Sequence, residues 1–194
     1  MKVVSNRIDS IVGKLSLVLL GVSLVGCTKT TEVAGDAKSP TAGSSDAAGL
    51  VGQAAPEVFG EYIAGDGPKT LVEAKGTVTI VDFWGTFCEP CKKSFPKLQE
   101  VVDTNAGKLA VIAVSQDDTD EAKAADIKKF AEELHVTFPI VWDREKKTAG
   151  AYHPPKMPTS YIVDKKGIVR HVHGGYTDGE DEKIAKEVDA LIAE

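Results

Sequence analysis

Cys88 and Cys91, two cysteines separated by two residues, have the type and spacing needed for redox chemistry. An apolar, β-branched run over 78–84 precedes them, and a helical pattern follows. A strand that delivers Cys-x-x-Cys to the first turn of a helix is typical of a redox-active dithiol. Free N–H groups and the positive dipole end of a helix stabilise a thiolate. We therefore expect Cys88 to be the exposed nucleophile and Cys91 its resolving partner.

The alternative for this cysteine pair is one half of a zinc site. Such a site needs two further Cys or His ligands at a suitable spacing, and none follow here. Pro90 lies between the cysteines and fits the first turn of a helix, where its missing N–H costs little. The residue pattern therefore favours the redox dithiol.

Asp82 lies six positions before Cys88, inside a strand that should be buried. Burial raises the pKa of a carboxyl group, and such a group can accept or return the proton of Cys91. The alternative is a structural aspartate at a partly solvated strand end. Because lone buried carboxylates are rare without a role, we predict proton transfer by Asp82.

Composition narrows the class of protein and its partners. The 194 residues are 42% hydrophobic and 27% charged, as in an ordinary soluble globular domain. The net charge of −6, without a Lys/Arg-rich patch, argues against a nucleic-acid partner. The third cysteine, Cys27, leaves no pair for a structural disulfide, so the hydrophobic core must stabilise the fold alone.

The first fifty residues resemble an export signal followed by a tether. A basic start and the short apolar run Leu15–Val25 predict a signal peptide over 1–26, because the run is too short to span a bilayer. Leu24-Val25-Gly26-Cys27 resembles a bacterial lipobox, which predicts lipidation of Cys27; the alternatives are an ordinary secreted protein or an uncleaved anchor. The polar segment 27–50 predicts a flexible tether without secondary structure. Residues 51–194 form the predicted domain.

Hydrophobic periodicity within the domain predicts alternating strands and helices. The predicted strands are Thr77–Trp84, Leu109–Val114, Phe138–Trp142, Ser160–Val163 and Ile168–His173, the last two forming a hairpin. Helices are predicted from Glu89 onward and over Glu121–Leu134, Arg144–Tyr152 and Asp181–Ile192. This order predicts an α/β fold with a central mixed sheet flanked by helices.

Three stretches together resemble the TlpA/ResA group of thioredoxin-like proteins. They are Val81-Asp82-Phe83-Trp84, the run from Cys88-Glu89-Pro90-Cys91-Lys92-Lys93 to Phe95-Pro96, and Met157-Pro158-Thr159. Members are envelope-anchored bacterial thiol-disulfide oxidoreductases. The resemblance implies a thioredoxin-like fold with the helix-strand insertion of the TlpA/ResA/peroxiredoxin branch, and, before the central strand, an N-terminal hairpin and edge strand.

The same resemblance implies a substrate-binding surface beside the dithiol. Pro158 matches the family's cis-proline, whose loop offers backbone groups to an extended substrate. Trp84 and Phe87 would line an apolar platform, with core packing as the alternative for both. The expected substrate-contacting residues are Trp84, Phe87, Glu89, Pro90, Met157 and Pro158. The chain has Ser94 where the best-known members carry a glutamate three residues after the second cysteine. If that glutamate handles the proton in those relatives, Asp82 must do so here.

By resemblance, the protein reduces disulfides of envelope proteins such as apocytochrome c or a copper-site assembly protein. Electrons would come from a membrane relay of the DsbD/CcdA type, without a dissociable cofactor. The expected form is a monomer, held by its N-terminal lipid and facing the periplasm; Thr28 after the lipobox cysteine favours the outer membrane. The alternatives are an SCO-like copper chaperone, an oxidising dithiol protein, and a peroxiredoxin, which lacks support because no Pro-x-x-x-Thr-x-x-Cys pattern occurs.

Two further groups of polar residues carry weaker signals. His171 and His173 alternate on one predicted strand and so share a face. We interpret them as a solvated strand face, with a metal site as the alternative, because no third ligand is apparent. The acidic run from Asp117 to Glu121 is interpreted as the start of a helix.

Overall fold

The computed structural model describes residues 47–120 and 122–194, so Cys27 and the predicted signal peptide over 1–26 lie outside the described residues. Six strands form one mixed sheet in the order β1-β4-β3-β2-β5-β6. The strands are β1 (Glu61–Ala64), β2 (Val78–Trp84), β3 (Leu109–Ser115), β4 (Ile140–Trp142), β5 (Thr159–Val163) and β6 (Val169–Gly174). Strands β2, β3 and β4 run parallel, whereas β1, β5 and β6 pair in antiparallel fashion with their neighbours.

Four helices connect or follow these strands. They are α1 (Glu89–Thr104), α2 (Ala124–Glu133), α3 (Lys147–Tyr152) and α4 (Glu180–Ala193). The α2–β4 pair is the helix-strand insertion that the resemblance implied, and β5 and β6 form the predicted hairpin. Within the described part of the chain, no helix is both long enough and apolar enough to cross a bilayer.

The central strand β2 divides the core into two clusters. All seven of its residues are buried, and alternate side chains point to opposite faces of the sheet. The first core cluster lies beneath α1, α2 and α4 and includes Ile80 and Trp84; the second lies beneath α3 and the segment before β2 and includes Val81 and Phe83. A strand buried on both faces explains the near-continuous apolar sequence.

The region before β2 differs from the expected hairpin. It contributes a single edge strand, β1, which pairs with the distant β4 instead of with a neighbour in sequence. Residues Ala47–Leu50 form a short 3₁₀ helix, which corrects the prediction that the tether over 27–50 has no secondary structure. The half-buried Leu50 packs against the second core cluster, and the Gly52 N–H donates to the Val169 carbonyl at 2.7 Å. Tertiary contacts of this kind leave no local sequence signal.

Candidate active site

The dithiol lies at the start of α1, as the strand-to-helix pattern predicted. Cys88 is the N-cap residue, Cys91 lies in the first turn, and the two form a disulfide with 5.3 Å between their Cα atoms. Cys88 is 6% exposed and Cys91 is fully buried. Cys88 is therefore more buried than the exposed nucleophile that the sequence predicted, because the chain around the start of α1 covers most of it. Of the two cysteines, only Cys88 keeps any surface that a partner thiol can contact.

The N-terminal end of α1 favours negative charge on Cys88. As far as the structure describes the chain, no side chain caps the first N–H groups of this helix, so they and the positive dipole end face the N-cap position. Glu89 follows in the first turn and forms an ion pair with Lys92 at 2.8 Å; this hydrogen bond lowers the pKa of Glu89. Both side chains are exposed, so the pair itself adds little stability.

The loop between β2 and α1 is held by Asp117, which follows β3. Asp117 is buried and accepts hydrogen bonds from the Thr86 N–H at 3.1 Å and from the Ser115 hydroxyl at 2.7 Å. The Thr86 hydroxyl donates to the same carboxylate. The interpretation of Asp117 as a helix start is therefore wrong, since α2 begins only at Ala124.

A topological signal for Asp117 was present in the sequence. The ends of β2 and β3 lie side by side, with Trp84 opposite Ser115, so the loops that follow both strands meet at one edge of the sheet. A carboxylate two residues beyond β3 is placed to bind the loop beyond β2. The local sequence, however, does not distinguish a carboxylate that binds a neighbouring loop from one that begins a helix.

Asp82 has the environment that the sequence predicted. It is 2% exposed, and the Ser160 hydroxyl donates a hydrogen bond to its Oδ1 at 2.5 Å. Its second oxygen, Oδ2, finds no hydrogen-bond partner among the described residues. Burial raises the pKa of Asp82 to about 7; the hydrogen bond from Ser160 lowers this pKa, but by less than burial raises it. The carboxyl group can therefore both accept and return a proton near neutral pH.

A small cavity of about 20 Å³ connects Asp82 to the active-site helix. Its lining residues are Asp82, Ser94, Leu98, Val101, Ser160, Tyr176, Asp181 and Ile184. The volume is sufficient for one water molecule. Ser94 both lines this cavity and donates to the Cys91 carbonyl at 3.3 Å, so it faces the same space as Asp82.

The predicted substrate-binding residues divide into surface and core positions. Phe87 is 59% exposed beside Cys88, and Glu89 and Pro90 are also exposed. Trp84 is fully buried and packs against Phe95 and Phe130, with ring centroids 4.8 Å and 4.9 Å away. The predicted substrate contact of Trp84 is therefore corrected to core packing, because β2 directs its side chain under α1.

Met157 and Pro158 lie in the loop before β5, joined by a cis peptide bond. Met157 is half-buried and Pro158 is buried. The Pro158 carbonyl accepts a hydrogen bond from the Gly175 N–H at 2.6 Å, which ties this loop to the end of β6. The side chain of Lys156 covers Gly175 so closely that a Cβ at this glycine would lie 2.7 Å from it.

A groove of about 220 Å³ lies beside the dithiol and was missed from the sequence. It is lined by Glu89, Pro90, Lys93, Tyr176, Thr177 and Asp178. One wall therefore comes from the first turn of α1 and the other from the loop before α4. No local sequence pattern indicated the second wall, because the loop before α4 comes close to α1 only in the folded chain.

The histidine pair on β6 is not a solvated face. His173 is buried, with its two ring nitrogens each 2.5 Å from a carboxylate oxygen, one of Glu180 and one of Glu187. His171 is half-buried and lies 3.5 Å from Glu187. The expectation of solvation is wrong because α4 covers this face of the strand. Over residues 47–120 and 122–194, no cluster of three or more His, Cys, Asp or Glu side chains is arranged to hold a metal ion.

Fold and site together define a thioredoxin-like protein with an active-site dithiol. A family model described as the AhpC/TSA family matches residues 51–172, and the chain belongs to that family. It is 33% identical to the thioredoxin-like protein YneN of Bacillus subtilis over 124 residues, which are 64% of this chain and 71% of the relative. It is 32% identical to the thiol-disulfide oxidoreductase ResA of Geobacillus thermodenitrificans over 134 residues, 69% of this chain and 74% of the relative.

Solved structures give the same assignment. A candidate thiol:disulfide interchange protein DsbE from Chlorobium tepidum superimposes with a TM-score of 0.64 at 29% identity, covering 73% of this chain and 97% of that one. StoA from Bacillus subtilis superimposes with a TM-score of 0.56 at 26% identity, covering 68% and 97%. The thioredoxin-like fold and the resemblance to ResA are confirmed, and the chain is a thiol-disulfide oxidoreductase.

Proposed function

We propose that this protein is a reductant of disulfide bonds in other proteins of the bacterial cell envelope. The observation that carries the proposal is the asymmetry of the dithiol: Cys88 keeps 6% of its surface exposed beside the exposed Phe87, whereas Cys91 is fully buried. An aromatic ring beside the attacking sulfur suits an apolar segment around a substrate cysteine. The groove between α1 and the loop before α4 extends this surface.

The reaction transfers two electrons from the dithiol to the substrate. The Cys88 thiolate attacks one sulfur of the substrate disulfide; that bond breaks, and a mixed disulfide forms while the first substrate thiolate leaves. Cys91 then loses its proton to Asp82 and attacks Cys88 Sγ, which releases the second substrate thiolate. The proton held by Asp82 and one from solvent neutralise the two substrate thiolates. Cys88–Cys91 is left oxidised.

The environment of Asp82 supports its role as the proton acceptor. Burial raises the pKa of its carboxyl group to about 7, so the group is partly ionised at neutral pH. The ionised carboxylate becomes neutral when it accepts a proton. Ser94 lines the cavity beside Asp82 and its hydroxyl donates to the Cys91 carbonyl, so Asp82 and the turn of α1 that carries Cys91 adjoin the same small space.

Two variants test the order of these steps, with native insulin and its intact disulfides as the probe substrate. Cys91→Ser should accumulate a covalent mixed disulfide through Cys88, because the resolving thiol is missing. Asp82→Asn should form that adduct at the wild-type rate and resolve it about 10²-fold more slowly, the usual contribution of general base catalysis. Asp118→Asn, at an exposed position, is the control. Equal resolution rates for Asp82→Asn and wild type would contradict the proton role.

The direction of electron flow is tested by the reduction potential of the Cys88–Cys91 pair. Equilibration in a dithiothreitol redox buffer, followed by thiol alkylation, should give a value near that of thioredoxin, about −270 mV. A value near about −120 mV, as in DsbA, would instead mean that the protein forms disulfides. In that case the proposed reduction would run in reverse.

We further propose substrates and an electron source for this reaction. Apocytochrome c and copper-site assembly proteins present paired cysteines that must be reduced before they bind their cofactor or metal. A membrane relay of the DsbD/CcdA type would return electrons to Cys88–Cys91. A Cys91→Ser variant expressed in cells should trap the substrate as a mixed disulfide that is identifiable by mass spectrometry, and trapping of no cysteine-pair protein would contradict the proposal.

For the location, we propose a lipid anchor on Cys27 in the envelope, facing the periplasm and attached to the outer membrane. The lipobox-like Leu24-Val25-Gly26-Cys27 supports this proposal, and the several acyl chains of such lipoproteins make attachment stable. Full-length protein should incorporate labelled palmitate and fractionate with outer membranes. Cys27→Ser should do neither. Labelling that persists in Cys27→Ser would refute the anchor.

A further inference from the structure

A buried histidine between two glutamates joins β6 to α4. His173 Nδ1 lies 2.5 Å from Glu180 Oε1, and His173 Nε2 lies 2.5 Å from Glu187 Oε2. The side chain of His173 is only 3% exposed, and the glutamates are about one-fifth exposed. The two glutamates are seven residues apart, so the ring contacts α4 at two points separated by about two helical turns.

Both contacts are attractive only when the His173 imidazole and the Glu180 and Glu187 carboxyl groups together carry two protons. A neutral imidazole has one N–H, and its other nitrogen would set a lone pair against a carboxylate oxygen. With both ring nitrogens protonated, each glutamate accepts a charge-assisted hydrogen bond, the stronger kind. The hydrogen bond to His173 lowers the pKa of Glu180 accordingly. His171, 3.5 Å from Glu187, is a further titratable group at this cluster.

The same strand register places this cluster next to the buried acid. Asp82 on β2 pairs with Ser160 on β5, and Ser160 pairs with His173 on β6. Residues directly opposite one another in antiparallel strands project from the same face, so the three side chains form one row. Helix α4 covers this row. Between its two contacts with His173, it places Asp181 and Ile184 on the cavity beside Asp82.

We propose that His173 is a positioning residue: through its contacts with Glu180 and Glu187 it holds α4 over Asp82 and keeps solvent away from that carboxylate. The consequence for catalysis rests on the proton role of Asp82 proposed above. The groups that face Asp82 across the cavity are Ser94 from α1, Tyr176 from the loop before α4, and Asp181 from α4. Because the cavity admits one water at most, a small displacement of α4 changes the hydration of Asp82 strongly.

The test measures the titration of Asp82 in the oxidised full-length protein, by ¹³C NMR of labelled aspartate carboxyl groups. In wild type the carboxyl should titrate near pH 7. In His173→Ala the midpoint should fall by about one pH unit or more, because hydration favours the charged carboxylate. Glu182→Gln, at an exposed position on the same helix and without a contact to His173, is the control and should leave the midpoint unchanged.

A second variant guards against loss of folding in His173→Ala. Glu180→Gln combined with Glu187→Gln keeps the size of both side chains and removes their charge, and it should lower the Asp82 midpoint in the same direction. If both variants titrate as wild type does, even with reduced stability, the proposal is overturned. The pH profile of mixed-disulfide resolution should move with the midpoint. A shifted midpoint with an unmoved profile would uphold the positioning by His173 and reject the proton role of Asp82.

Discussion

Asp82 combines deep burial with a single hydrogen-bond donor, and this arrangement has a thermodynamic cost. Its folded-state pKa of about 7 lies well above the ordinary value of 3.8 for an aspartate, because burial disfavours the charged form. Below pH 3.8 the carboxyl is protonated in both states. As the pH rises from 3.8 to about 7, the unfolded chain releases the proton while the folded chain keeps it, so stability falls with pH.

Asp82→Asn should therefore stabilise the oxidised protein at alkaline pH and have little effect in acid. A pKa difference between 3.8 and about 7 corresponds to roughly 4 kcal/mol, the upper bound for the gain at pH 8.5. Urea unfolding at pH 4 and pH 8.5 measures this gain, with the exposed Asp118→Asn as a control. A difference between Asp82→Asn and wild type that is independent of pH would show that the carboxyl does not titrate as described.

The two aromatic residues near the dithiol have separate tasks. Trp84 is fully buried, so Trp84→Ala should cost about 3–5 kcal/mol of stability through the cavity that it leaves.

Phe87 is mostly exposed, so Phe87→Ala should change stability by less than about 0.5 kcal/mol. Phe87→Ala should instead slow insulin reduction, with an unchanged rate toward a small disulfide such as oxidised glutathione. Equal slowing with both substrates would argue against a protein-binding role of Phe87.

At the scale of elements, the active-site loop depends on its neighbour in the sheet. Asp117, beyond the end of β3, binds the backbone and hydroxyl of Thr86 in the loop beyond β2. The carbonyl of Asp117 also accepts the Trp142 indole N–H at 2.8 Å, which extends the contact to β4. Three parallel strands therefore fix the loop that presents Cys88.

Asp117→Asn should loosen this loop. It replaces a carboxylate oxygen that accepts hydrogen bonds with an N–H₂ group that cannot, so we expect a loss of about 1–3 kcal/mol in unfolding free energy. The rate of Cys88 alkylation in the reduced protein should change as its placement at the helix start becomes less uniform. Asp118→Asn, one residue further and exposed, should behave as wild type. Full stability of Asp117→Asn would mean that the loop is held by other contacts.

At the scale of the whole molecule, a single sheet connects two cores. Ile80 on β2 belongs to the first core cluster and Ile112 on the adjacent β3 to the second, and both are fully buried. Because β2 and β3 pair along their whole length, one cluster cannot be lost while the other persists. The described residues should therefore unfold as one cooperative unit.

Ile80→Ala and Ile112→Ala test this coupling from opposite faces. Each should cost about 2–5 kcal/mol. Both tryptophans, Trp84 and Trp142, lie in the first core cluster, so fluorescence reports on that face alone. In Ile112→Ala the urea transitions seen by fluorescence and by far-ultraviolet circular dichroism should nevertheless coincide. Separate transitions would show that the two faces unfold independently.

Features encoded within a few neighbouring residues were predictable from the amino-acid sequence. Cys-Glu-Pro-Cys after an apolar run predicted the dithiol at a helix start. Near-continuous apolar runs predicted β2 and β3, helical periodicity predicted α4, and two short runs joined by a turn predicted the closing hairpin. The burial of Asp82 followed from its place in a strand that is apolar on both faces. These predictions succeeded because a buried strand and an amphipathic helix each leave a characteristic spacing of apolar residues in the local sequence.

Contacts between residues distant in sequence became apparent only in the folded chain. It placed Asp117 on the active-site loop, and it buried His173 between two glutamates of a helix that follows it in sequence. It also assigned Trp84 to the core and Phe87 to the surface, although both are aromatic and three residues apart. Whether a polar or aromatic side chain is covered depends on packing of other elements over it, and no local pattern of residues records that packing.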